Sequence, residues 1–377
     1  AKKQTTMASF SLEPKAWTGD GADLKDSNMA LVGSELDKIA RKSAAEKEAA
    51  WVSCGKAPGI EVWRIENFQV KAWPVERHGA FHTGDSYIVL KTTKVESKLT
   101  WDIHFWLGST TTQDEMGTAA YKTVELDDYF DQAAIQHRET QGHESLQFTK
   151  LFKEITYLEG GVDSGFHHVE GGTQIKKLFR VRKTKHTVRV AEVPCTRKSL
   201  NQGDCFLLDL GDTLYPWFGE DASPFERAKC GTRAHNVAIS RHGKCAVKEA
   251  PDAAFWAALG GEGPIAPASE APAPEKEDVG EGVLYKLSDA SGSLTCSEAK
   301  RGDIKVTDLD SNDVFILDAG REIFVWVGSK ASDAERRNAM PTAQAYLHAN
   351  NKPIHTAVHC VNEGTPFTNE VWKAIMK

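Results

Sequence analysis

Apolar and polar residues alternate along this chain with two different periods, and the periods change in the same order three times. Short stretches of period two, the signature of half-buried strands, lead into GDSYIVL at Gly84, GDCFLLD at Gly203 and NDVFILD at Asn312. Each is answered by an aromatic strand closed by glycine: HFWLG at His104, PWFG at Pro216 and VWVG at Val325. A polar cap and a helix with an early acid follow, TTTQDEMG with Glu115, ASPFERA with Glu226 and ASDAERRNA with Glu335. Asp204 to Glu226 and Asp313 to Glu335 both span 22 residues and Asp85 to Glu115 spans 30, which places an eight-residue insertion in the first unit, at the polar hairpin KTTKVESKLT. The recurrence predicts an α+β chain of three repeats, each a sheet packed on a long helix. The predicted boundaries are 56–165, 166–262 and 281–377, after an N-terminal extension, 1–55, with a helix from about 34. A Pro-rich linker, 263–280, precedes the third repeat, while glycine-rich GGVDSGFHHVEGG couples the first two more closely.

The helix predicted over Gln113 to Phe130 has more apolar surface than one core contact needs. At about 100° per residue, Met116, Ala119, Thr123, Leu126 and Phe130 form one stripe, and Gly117, Ala120, Tyr121, Val124 and Asp128 form another. Lys122, Glu125 and Thr118 are expected on the solvated side between them. Either a second protein covers the second stripe, or the helix is buried on two sides within its own molecule. The corresponding helices from Ser223 and Ser332 keep the acid but have no comparable second stripe.

Composition adds mainly exclusions. A net charge of −7 over 377 residues argues against wholesale nucleic-acid binding, and the short apolar runs provide no transmembrane segment. Seven cysteines without a CxxC pair read as reduced thiols of a cytosolic protein. HTAVH, with His355 and His359, lacks the glutamate of a zinc-protease helix and reads as an alternating strand face. No GxSxG, Walker loop or paired nucleophile and histidine supplies an active site, so no enzyme is expected.

Two polar constellations remain. Asp85, Asp204 and Asp313 open a central strand and Glu115, Glu226 and Glu335 lie in the first turn of the next helix. Each pair offers hard oxygen ligands suited to Ca²⁺, although turn chemistry and the helix dipole also place acids there. The second constellation, QIKKLFRVRKTKHTVRV, holds Lys176, Lys177, Arg180, Arg182, Lys183, Lys185 and Arg189 and no acid. It fits an anionic surface, a phosphoinositide headgroup or an acidic protein, or else a charged hairpin edge.

APGIEVWRIENF, TGDSYIVLKT, DIHFWLG, TTQDEMGTAAYKTVELDDYF, QHRETQGHES, GGVDSGFHHV, AEVP and GDCFLLDLG together resemble the gelsolin superfamily of actin-severing and capping proteins, and within it the three-repeat severin and fragmin group. The resemblance implies a five- or six-stranded mixed sheet between a long and a short helix in every repeat. It implies calcium at the Gly84 carbonyl, Asp85, Glu115 and the Val162 carbonyl; at the Gly203 carbonyl, Asp204 and Glu226 with Asp278; and at the Asn312 carbonyl, Asp313 and Glu335. A further site, shared with bound actin, maps to Asp127 with the carbonyls of Gln132 and Ala134; the family usually has glycine where Gln132 stands. The second stripe then becomes the actin-binding face, and Arg227 joins the basic segment in binding the filament side. Pro341 departs from the family helix, Phe218 replaces the cysteine that often pairs with the residue at Cys205, and no headpiece module is expected. The implied protein is cytoplasmic and cytoskeletal, binds actin monomer and filament and phosphoinositides, and severs, caps and nucleates under calcium control. Capping without severing, or a phosphoinositide-bound calcium sensor, are the alternatives.

Overall fold

The computed structural model describes residues 10–11, 42–162, 175–183, 187–241, 244–270, 281–288 and 295–376, except 333–334, 337–338, 340–341, 344–345, 348–349, 351, 354 and 368. Strand β1 (Phe10–Ser11) precedes the first repeat, which supplies β2 (Gly59–Glu66), β3 (Gln69–Ala72), β4 (Ala80–His82), β5 (Ser86–Val95), β6 (Lys98–Leu107), β7 (Ile135–Thr140) and β8 (Glu154–Leu158). The second supplies β9 (Lys177–Lys183), β10 (Val188–Val193), β11 (Cys205–Asp209), β12 (Thr213–Phe218) and β13 (Ala246–Val247). The third supplies β14 (Val283–Ser288), β15 (Thr295–Arg301), β16 (Val314–Asp318), β17 (Glu322–Val327) and β18 (Ala357–Asn362).

One rule builds each repeat. The pairs β6·β7, β12·β13 and β17·β18 are parallel, so each needs a crossover. Helices Gln113–Tyr129 and Pro224–Ser240 supply it in the first two repeats, and helical residues between 335 and 347 in the third. Thr112 and Ser223 cap the first two, accepting from the backbone N–H of Glu115 and Glu226. On β5 the period of two sorts the side chains: Ile88 and Leu90 join Trp51, Ala119 and Leu126 under the long helix, while Tyr87 and Val89 join Phe81, Trp106 and Phe148 on the opposite face. The insertion lengthens the β5–β6 hairpin, whose strands have ten residues each against five and six for β11 and β12.

The recurrent glycine after each aromatic strand has a steric cause. Gly108, Gly219 and Gly328 donate N–H to the carbonyls of Asp85, Asp204 and Asp313, each at 3.0 Å. A Cβ at these glycines would lie 2.2, 2.3 and 2.3 Å from the carbonyl oxygens of Thr83, Gln202 and Ser311. Only glycine admits that approach.

The sheets cross the repeat boundaries. Among the described residues an eleven-stranded sheet runs β1-β15-β14-β16-β17-β18-β7-β6-β5-β2-β3, joining the third repeat to the first through antiparallel β18 and β7. A seven-stranded sheet runs β13-β12-β11-β9-β10-β8-β4, so β4 and β8 of the first repeat extend the sheet of the second. Glu144 pins that second junction, accepting from Trp106 Nε1 at 3.0 Å, Tyr157 OH at 2.8 Å and Arg189 at 2.8 Å.

Several expectations change. Glu125 is buried rather than solvated: Trp51 Nε1 reaches it at 3.3 Å and Lys122 at 2.9 Å, with Glu48 also on Lys122. The segment after helical residues 42–47 thus covers this side of the long helix. Strand β9 lies between β10 and β11, so its charges do not guard a sheet edge. His359 is on β18, but His355 precedes the strand. Residues 34–41, Asp278, Lys185, Pro341 and most of GGVDSGFHHVEGG lie outside the described residues.

Candidate functional site

The recurrent aspartates open their strands as buried carboxylates, each beside a cation from the neighbouring strand. Asp85 Oδ2 meets Arg64 at 2.6 Å and Tyr87 OH at 3.3 Å, while Oδ1 accepts from Val162 N–H at 2.8 Å. Burial pushes the Asp85 carboxyl up to about 6; Arg64 opposes this and Glu115 adds to it, placing the two acids within each other's field. In the third repeat Lys286 reaches Asp313 at 2.7 Å. Arg64 and Lys286 are register partners of Tyr87 and Phe315, each two residues beyond its aspartate. The equivalent partner in the second repeat is Arg180, with Arg182 at 3.9 Å from Asp204 and Asn201 Nδ2 at 3.0 Å.

The glutamates divide differently. Glu226 completes a capping box with Ser223 and accepts from Lys183 N–H at 2.8 Å. Glu335 takes the same form with Ser332: Oε2 accepts the Ser332 N–H at 3.0 Å, and the Glu335 N–H donates to Ser332 Oγ at 3.1 Å. Capping accounts for both acids locally. Glu115 instead accepts from Thr111 Oγ1 at 2.9 Å. Among the described residues no three His, Cys, Asp or Glu side chains converge as a metal cluster, so a cation at any pair would also draw on backbone oxygens. In the first repeat two buried carboxylates sharing one field suit a hard divalent cation, and Arg64, paired with Asp85 at 2.6 Å, is the cation such an ion would have to displace or share that carboxylate with.

Asp127 is buried and accepts from Ala134 N–H at 3.1 Å and Gln136 Nε2 at 2.8 Å. Gln132 sits at φ 63°, left-handed backbone that explains glycine at this position in the family resemblance. Its carbonyl accepts from Asn362 Nδ2 of the third repeat at 2.9 Å. Sequence reasoning missed Arg64, Lys286 and Asn362, because a basic or amide residue on an alternating strand looks like any solvated position.

The long helix of the first repeat separates its stripes. Ala119, Thr123 and Leu126 are fully buried, while Gly117 and Tyr121 are exposed, Tyr121 at 52%. Ala120 and Val124 are half-buried, and buried Asp128 accepts from Gln132 Nε2 at 3.1 Å. On the second repeat, Lys183 and Lys229 flank the exposed Phe225 ring at 4.7 and 5.4 Å. Arg227 is committed to its own repeat, donating to the carbonyls of Ala222, Gly219 and Glu220, as Arg336 does to Ala331, Gly328 and Ser329. Lys177 pairs with Glu192 at 3.0 Å, and Lys176 is exposed.

A family model described as the gelsolin repeat matches this chain at 74–149, 186–251 and 297–366. The chain belongs to the gelsolin family. It is 42% identical over 340 residues to gelsolin-like protein 2 of Lumbricus terrestris, covering 88% of this chain and 92% of that one. Severin of Echinococcus granulosus is 35% identical over 369 residues, 93% of this chain and 97% of its own. Gelsolin of Drosophila melanogaster is 40% identical over 356 residues, 88% of this chain but 44% of its own length. The gelsolin family consists of actin-binding regulators rather than enzymes. Among the described residues no helix is long and apolar enough to cross a membrane.

Proposed function

We infer that this gelsolin-family chain is a calcium-regulated actin-severing and barbed-end-capping protein of the cytoskeleton. The observation that carries the reading is the split of helix Gln113–Tyr129 into a core stripe and a second stripe with Tyr121 at the surface. Gly117 and Tyr121, with half-buried Ala120 and Val124 beside them, form the face for actin, and Asp128, buried in the free chain, lies at its end. An exposed aromatic beside small residues lets a partner approach the helix closely and bury a rigid ring. Lys183 and Lys229 lie around Phe225, with Lys177 on the same face of β9, Arg180 and Arg182 on its other face, and Lys176 exposed just before the strand. These are the basic groups of the second repeat that would meet the filament or a phosphoinositide headgroup. Arg227 serves there by holding the loops before its helix.

Calcium, when bound, supplies compact positive charge to buried oxygen donors. Asp85, Glu115 and the carbonyls of Gly84 and Val162 would hold it in the first repeat. Asp127 with the carbonyls of Gln132 and Ala134 would hold it at the actin-side site, and Asp204 with Glu226 and Asp313 with Glu335 in the other repeats. Asn362 donates to one of these carbonyls, so the contact between repeats 1 and 3 competes with that site. A ligand that binds the separated arrangement better shifts the population toward it. Labelled filaments watched singly, with and without Ca²⁺, test the reading: calcium-dependent breaks followed by halted barbed-end growth are expected. Halted growth without breaks would reduce the function to capping, and neither effect would reject it.

A further inference from the structure

Strand β1 lies before the first repeat but pairs with the third. It runs antiparallel to β15, with Phe10 opposite Cys296 and Ser11 opposite Thr295. It thereby ends the eleven-stranded sheet on one side, while β2 and β3 of the first repeat end it on the other. The sequence around it suits an added strand. Ala8, Phe10 and Leu12 alternate with Ser9 and Ser11, and Pro14, which has no N–H to donate, stops the run.

The edge that receives it is built in two halves. Along Glu298, Lys300 and Arg301 the strand carries charges, and its register on β14 skips Ala299, which makes a bulge. Charge and bulges keep open strand edges from pairing. Thr295, Cys296 and Ser297 have neither, and they keep an unbroken register on Ser288, Leu287 and Lys286. Strand β1 occupies this receptive half. Cys296 is buried with Leu287, Val314 and Tyr346 in the core of the third repeat, so the half is anchored from inside.

The same extension is fastened to the first repeat at its other end. Lys42 pairs with Asp131 in the turn before β7, Glu48 pairs with Lys122, and Trp51 Nε1 donates to Glu125. Six strand spacings separate β1 from β7, about 29 Å in all. The roughly 30 residues between Ser11 and Lys42 are enough to cover that distance. We propose that the outer edge of β15 is a docking edge for the chain's own N-terminal extension, which straps the third repeat to the first. Backbone hydrogen bonds supply the affinity, as in other cases of strand addition. The local concentration of β1 at β15 falls as the two repeats part. Docking and the β7–β18 contact therefore favour each other.

The strap requires neither calcium nor actin, so the full chain in chelator tests it. Phe10→Cys sets a thiol in register with Cys296, and Ser11→Cys with Thr295→Cys sets a pair at the next rung. After mild oxidation, mass spectrometry of digests should find a disulfide within one chain at one of the two rungs, and none between Lys3→Cys and Cys296. No link at either rung, an equal yield from Lys3→Cys, or a link between two chains overturns the docking; the last would give the edge to a second copy. Phe10→Pro with Ser11→Pro removes both N–H groups of β1. Amide exchange over Thr295–Ser297 and over β18 should both quicken about fivefold in that variant, the worth of one net hydrogen bond, while β11 of the second repeat keeps its wild-type rate. Wild-type exchange over β18 beside quickened exchange over Thr295–Ser297 would overturn the strap, and wild-type exchange at both would overturn the docking as well.

Discussion

The side-chain amide of Asn362 donates to the main-chain carbonyl of Gln132 at 2.9 Å, across a separation of 230 residues. This bond joins the last strand of the third repeat to the turn after the long helix of the first. The amide meets a carbonyl that the proposed actin-side site also needs. A net hydrogen bond contributes about 1 kcal/mol, or roughly a fivefold shift in an equilibrium. Asn362→Ala is therefore expected to lower the calcium concentration for half-maximal capping about fivefold. Seeded growth of labelled actin over a calcium series reads this directly, and an unchanged midpoint would remove Asn362 from the control of that site.

Tyr121→Ala with Val124→Ala separates the two stripes of the helix. Tyr121 is exposed and Val124 half-buried, so the domain should lose less than about 1 kcal/mol of stability. Exposed aromatic anchors of interfaces often cost about 2 kcal/mol or more on truncation, roughly thirtyfold in affinity. Weakened capping at an unchanged melting temperature is the expected pair of results; loss of both would place these residues in the core.

This helix also shows how far sequence reading reaches. Its two stripes were legible because a period of 3.6 sorts residues by angle, and Ala119, Thr123 and Leu126 duly lie in the core. Glu125 was not, since the sequence gives no sign that Trp51 and Lys122 would enclose it. The three repeats announced themselves through Gly108, Gly219 and Gly328, each required by a carbonyl close to it. The joining of β7 to β18 was invisible for the opposite reason. Strand pairing between distant segments leaves no local period, and QHRE around His137 alternates like any other strand.

Arg64 and Asp85 form a pair whose carboxylate is fully buried. Removing one partner of such a pair leaves the other charge uncompensated, which typically costs about 3 kcal/mol or more. Arg64→Gln should be destabilised by that order in chelator. If Asp85 and Glu115 hold calcium as proposed, saturating Ca²⁺ should restore more stability to the variant than it adds to the wild type. Urea unfolding of both proteins in each condition measures the four values. Equal calcium increments would mean that the cation does not bind at Asp85.

Two glycines of the second repeat should respond in opposite directions to the same added methyl group. A Cβ on Gly219 would meet the Gln202 carbonyl oxygen at 2.3 Å, and backbone on both sides leaves little room to yield. Gly219→Ala must break the loop that positions Asp204, because Gly219 N–H donates to the Asp204 carbonyl at 3.0 Å. A loss of about 3 kcal/mol or more is expected, as for other steric overpacking at a fixed backbone. Gly231 lies inside helix Pro224–Ser240 and meets nothing within 4 Å of an added Cβ. Gly231→Ala removes backbone freedom from the unfolded chain without a clash and should stabilise by about 0.5 to 1 kcal/mol. Thermal unfolding of the two variants beside the wild type tests both signs. A Gly219→Ala protein with wild-type stability would show that the recurrent glycine is not held by the carbonyl facing it.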